Sequence, residues 1–351
     1  MPVLAILLTA AAIVVPDPVC QRAVTTLPGL TCVSSGGGVA LAEDPEDAEA
    51  FAGYARGAEA RFQAHFGQPI APYAVVLTPP VPDRAAMTAA GFTHLLPWPS
   101  PEAFAQAAEQ GIERAARGFA ASQNMSPEQT DAVIARAMAN RPTAASQAAL
   151  NAGMIPHELA HLWFTAAFFP GPHPENGQRH YGGTGPDWLD EAAAVVVEGD
   201  ETAALRRDQF RTLMRGETTP ALGGTENRAV LLDLPHLLSR EHPGLSRPPP
   251  SLPAGGPAPG SGGMAVGVTY TPAGAGPRPD VVERIYYTQI RVFADYLMQR
   301  SGKADILADI ARALAGGDSF EAWLARDGAG YGLPTSVNAL EEDWTTFAEG
   351  F

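Results

Sequence analysis

His157-Glu158-Leu159-Ala160-His161 sits inside a long Ala-rich stretch with helical periodicity, and the rest of the chain is read outward from it. Histidines four apart share one face of a helix, so both imidazoles can reach one ion. Glu158 points about 100° away from His157 around the helix, close enough to take a proton from a water activated by that ion. Zinc is the metal expected for this pattern, because it lowers the pKa of a ligated water from 15.7 to roughly 7.

Two imidazoles need a third protein ligand, with the fourth position left for water. A third histidine shortly after His161 is excluded, because Phe164 and Ala167 stand where a glycine and that histidine would be. The acidic candidates follow about thirty residues later, in Trp188-Leu189-Asp190-Glu191-Ala192 and at Glu198. Asp187 is a second possibility. His173 and His180, in the polar Gly-rich loop from His173 to Gly185, are a third. Glu201 and His236 belong to no motif and are read as structural.

The segment around Glu191 resembles the W-L-x-E-G-x-A run of gluzincin zinc metallopeptidases. The succession Tyr286-Tyr287, Ser301-Gly302, Phe320–Trp323 and Leu340–Trp344 is similar to the C-terminal half of their peptidase MA-like branch, which is related to the aminopeptidase N superfamily. The resemblance spans about residues 36–351 and is specific over 157–198 and 280–347. It implies Glu191 as the third zinc ligand, with Glu198 supporting the site from behind; Asp190 is a further candidate for orienting a ligand histidine through its other ring nitrogen. It also implies that Tyr287, fifteen residues before the helix-ending Gly302, donates a hydrogen bond to the oxyanion. Tyr286 falls instead on the apolar stripe of Ile290, Phe293 and Leu297 and is read as core. Ala192 replaces the usual glycine. The segment that binds a free amino terminus in exopeptidase relatives is absent upstream of His157, which favours endopeptidase action on peptide or protein substrates.

A net charge of −15 argues against nucleic acid or anionic lipid as partners. The apolar run Val3–Val15 is too short to span a bilayer and predicts a signal peptide over 1–19; a buried N-terminal strand or helix is the alternative. Cys20 and Cys32 are the only cysteines. Behind an export signal they predict one disulfide in a 20–35 segment and a periplasmic or extracellular protein; two free thiols are the alternative.

Further along, Val39–Leu41, Tyr73–Leu77 and Phe92–Leu96 read as strands. Asp44 caps a helix from Pro45 to Phe66 that Gly67 ends. The 100–169 stretch reads as helical, with breaks near Ser126-Pro127 and Arg141-Pro142. Residues 36–242 are thus expected to form an α/β unit plus the zinc-binding helices. Pro243–Pro279 holds 10 Pro and 9 Gly in 37 residues and is expected to be a flexible loop. Residues 280–351 are expected to form a helical C-terminal subdomain. The expected fold is α+β and mostly helical, a zincin-like catalytic domain with a small N-terminal sheet. The expected function is an exported zinc peptidase; the alternative is a catalytically inactive zincin-like binding or scaffold protein.

Overall fold

The computed structural model describes residues 17–79, 82–171, 184–217, 231–239, 242–243 and 279–351. The apolar run before residue 17, His173 and His180, and the Pro/Gly-rich segment from 244 to 278 lie outside the described residues. Among these residues the protein is mostly helical with one four-stranded sheet, an α+β arrangement. No described helix is long and apolar enough to cross a membrane.

Strands β1 (Thr31–Ser34), β2 (Gly38–Ala42), β3 (Tyr73–Thr78) and β4 (His94–Pro99) lie in the order β1-β2-β3-β4. β1 pairs antiparallel to β2, while β2, β3 and β4 run parallel, with Val39 opposite Ala74 and Ala74 opposite Leu95. Side chains alternate across a strand, and here each side of the sheet meets its own core. Ala40, Ala42, Val75, Leu77 and Trp98 face the large helical core. Val39, Leu41, Ala74, Val76 and Leu95 face a smaller one with Met87 and Phe92. Helix α1 (Pro18–Thr26) covers this second face, and Cys20 on it is bonded to Cys32 on β1. Asp17 caps α1 with Pro18 at its first position, so the boundary expected after residue 19 falls inside its first turn. The β1–β2 hairpin likewise joins the 20–35 segment to the sheet.

Helix α2 (Pro45–Phe66) starts where Asp44 accepts from Glu46 N at 2.7 Å, and it stops at Gly67, whose φ of 60° suits a residue without Cβ. After α3 (Arg84–Ala89) come α4 (Pro101–Ser122), α5 (Pro127–Ala139) and α6 (Ala144–Phe168), broken where Ser126-Pro127 and Arg141-Pro142 stand. α6 opens on a capping box between Thr143 and Ser146 and carries the paired histidines.

Helix α7 (Asp187–Val197) is buried along all eleven residues. Its C-terminal carbonyls, which no helical N–H can reach, are taken by two arginines. Arg61 on α2 donates to Val197 O at 2.6 Å, and Arg291 donates to Val195 O at 2.8 Å. Then follow α8 (Asp200–Met214), α9 (Leu234–Ser239) and α10 (Pro279–Ser301), which ends at Gly302 with φ 65°. α11 (Ile306–Ala315), α12 (Phe320–Asp327) and α13 (Val337–Gly350) close the large core around Trp188, Phe293, Trp323 and Trp344.

Candidate metal centre

Two elements deliver the three candidate ligands. α6 presents His157 and His161 one turn apart, and α7 crosses it with Glu191 at mid-helix. His157 is 2% exposed, His161 7% and Glu191 0%. One donor atom from each lies within 4.8 Å of the other two, so the cluster could hold a metal ion.

The hydrogen bonds fix which atoms face inward. His157 Nδ1 donates to Glu198 Oε1 at 2.9 Å, and His161 Nδ1 lies 2.8 Å from Asp190 Oδ2. A carboxylate at each Nδ1 keeps the proton there and leaves the Nε2 lone pair available. The two Nε2 atoms are 3.2 Å apart. Glu191 puts Oε2 3.4 Å from His157 Nε2 and Oε1 3.7 Å from His161 Nε2. A tetrahedral ion with bonds of 2.0–2.1 Å would hold its donor atoms about 3.3 Å apart. The observed spacings fit such an ion with small adjustments. Among the described residues neither Glu191 oxygen has a hydrogen-bond partner although both are buried, which is the condition of a carboxylate suited to a cation.

Electrostatics lead the same way. Burial pulls His157 down, but Glu191 and Glu198 outweigh it and raise the ring to about 9. Burial likewise opposes protonation of His161, which Asp190 and Glu191 raise to about 10. Glu191 is drawn down to about 2 by both histidines against its own burial. Glu198 has its own counter-charge in Arg206, 2.6 Å away through Nε. The negative charge that holds a second proton on each ring would equally hold a divalent cation in place of those protons.

Glu198 reaches His157 by a different route from the one its spacing suggests. Seven residues separate it from Glu191, two helical turns, yet α7 ends at Val197 and Glu198 is the extended cap residue with ψ 155°. Glu158 is half-buried, and its charge helps to raise His161, so it lies within electrostatic reach of that ring. Tyr287 on α10 is half-buried with its ring 5.5 Å from that of His157, while Tyr286 is 3% exposed within the core.

Asp187 is not a member of the ligand group; its Oδ2 accepts from His242 N at 2.7 Å. That contact brings in a residue the sequence reading did not single out. His242 is fully buried, its Nε2 lies 3.1 Å from the Tyr287 hydroxyl and 3.3 Å from Glu191 Oε1, and its ring stands 5.5 Å from both Tyr286 and Tyr287. Glu201 is exposed, and the exposed His236 bonds Asp233 at 2.6 Å, away from the cluster. A cavity of about 450 Å³ lies elsewhere, between α2, α4 and the start of α6, lined by Phe51, Tyr54 and Phe104 with no imidazole. It holds the carboxylates Asp47 and Glu102 but no histidine or cysteine.

No protein-family model matches the chain, and comparisons with curated proteins and with solved structures found no match.

Proposed function

We propose that the protein is an exported zinc-dependent peptidase of gluzincin type, with His157, His161 and Glu191 as the zinc ligands. The observation that carries this reading is the buried imidazole–imidazole–carboxylate set with a further glutamate, Glu158, between the two histidines. Zinc, when bound, supplies Lewis-acid activation of a water and of the scissile carbonyl. Glu158 takes the proton of that water and returns it to the departing amine. The Tyr287 hydroxyl donates to the oxyanion as negative charge develops on it. Asp190 and Glu198 hold the ligand rings from behind, and His242 holds the Tyr287 hydroxyl. A small mixed sheet, three of its four strands parallel, packed beside the helix bearing the histidines is consistent with a zincin-like domain. The Cys20–Cys32 bond is compatible with an oxidising compartment and so with export.

The test is metal analysis of the purified chain together with a proteome-derived peptide library, run beside Glu158→Gln. One equivalent of zinc and cleavage that disappears in Glu158→Gln are expected. Zinc without any cleavage would instead favour a metal-retaining binding or scaffold protein.

A further inference from the structure

Arg206 touches both sides of the metal cluster, and no motif in the sequence asks for it. It lies on α8 and is 8% exposed. Its guanidinium grips Glu198 at two points: Nε donates to Oε2 at 2.6 Å, and Nη2 donates to Oε1. The same Oε1 accepts from His157 Nδ1 at 2.9 Å, so one carboxylate oxygen serves the arginine and the ligand ring together. The guanidinium carbon also stands 5.2 Å from the centroid of the Tyr287 ring, and that ring is 5.5 Å from His157. Arg206, Glu198, His157 and Tyr287 therefore form a closed circuit of contacts drawn from α8, the end of α7, α6 and α10.

A closed circuit transmits orientation. Glu198 has left its helix, and the terminal torsion of a glutamate is broad, so its backbone does not set the plane of its carboxylate. A two-point guanidinium clamp does set that plane, in a way the point charge of lysine cannot. Once the carboxylate is fixed, the direction of His157 Nδ1–H is fixed, and with it the line along which Nε2 presents its lone pair. The face of the same guanidinium supports Tyr287 through its attraction to the aromatic ring. We propose that Arg206 is a positioning residue, which orients the His157 ring through Glu198 and ties that ring to Tyr287. This rests on the metal-binding part of the reading above and not on peptide hydrolysis.

The experiment uses the full chain with Zn2+ and Co2+ as probes. Zn2+ affinity is measured by chelator competition and ligand geometry by the visible spectrum of the Co2+ form, with folding checked by near-ultraviolet circular dichroism. Arg206→Lys and Arg206→Gln are expected to weaken Zn2+ by about tenfold or more and to shift the Co2+ bands, as loss of outer support does in other sites. Glu198→Gln is expected to weaken Zn2+ similarly, and to add little on the Arg206→Lys background because both act through one contact. Tyr287→Leu is likewise expected to add little on that background. Arg206→Lys with wild-type Zn2+ affinity and Co2+ spectrum overturns the proposal, as do losses that simply multiply. If Arg206→Gln does not fold, Arg206→Lys, which keeps the buried charge, decides alone. A wild-type chain that binds no Zn2+ removes both this proposal and the metal site. A chain that binds Zn2+, responds at Arg206 and cleaves nothing leaves this proposal standing and ends the peptidase reading.

Discussion

Three carboxylates touch the two imidazoles, and each does something different. Asp190 and Glu198 engage the Nδ1 atoms, whereas Glu191 faces both Nε2 atoms and has no hydrogen-bond partner among the described residues. Glu191→Ala should therefore release the metal, with Zn2+ affinity falling by more than about 100-fold, while Asp190→Asn should weaken it by about 10–100-fold. Competition with a chelating dye distinguishes the two, and full zinc retention by Glu191→Ala would move the third ligand to another residue. Glu158→Gln should keep its zinc and lose peptidase activity by several orders of magnitude, because Glu158 is outside the ligand group and the proposed function makes it the base. Tyr287→Phe should lower kcat by roughly 10²–10³ without changing zinc content. Tyr286→Phe should leave kcat nearly unchanged, and a swap of behaviour between these tyrosines would reassign the oxyanion donor. The four-residue spacing of His157 and His161 was legible in the sequence because a helix converts it directly into proximity. His242 was not, because its contacts to Asp187 and Tyr287 span 55 and 45 residues and depend on tertiary packing alone.

Helices with strong caps were the most legible elements. Asp44-Pro45 and Gly67 bound α2 as expected, and Gly302 closes α10. β4 runs over 94–99 where a strand over 92–96 was expected, because Pro97 and Pro99 hide it from a propensity reading and are tolerated on a sheet edge. β1 and α1 are too short to show a period and owe their order to the sheet and the disulfide. α6 and α8 approach closely at a glycine. A Cβ on Gly153 would lie 2.7 Å from Thr202 Oγ1, and Thr202 is one turn before Arg206 on α8. Gly153→Val should destabilise the fold by about 1–3 kcal/mol. It should also weaken Zn2+ binding by pushing the Glu198 clamp away. Denaturant unfolding and zinc titration of the same variant check both parts; a stability loss with zinc affinity untouched would show the crossing to be independent of the site.

For the whole molecule, the sheet separates two packing problems. The disulfide lies with the small core on one face, and the candidate metal ligands lie with the large core on the other. Cys20→Ser with Cys32→Ser should thus lower stability by about 3 kcal/mol, the scale for so short a loop, and leave Zn2+ affinity unchanged. Denaturant midpoints and zinc titration test this, and a parallel fall in zinc affinity would mean the two cores are not separable. The burial of α7 sets one more property. With Glu191 and every other residue of the helix enclosed, that carboxylate has no room to swing out after an ion that leaves. A ligand fixed by burial stays in place when empty, so the loaded and empty forms should differ little in structure. Amide hydrogen exchange along Leu189–Val196 should then be as slow without Zn2+ as with it, and faster exchange in the zinc-free form would show instead that the ion orders the helix.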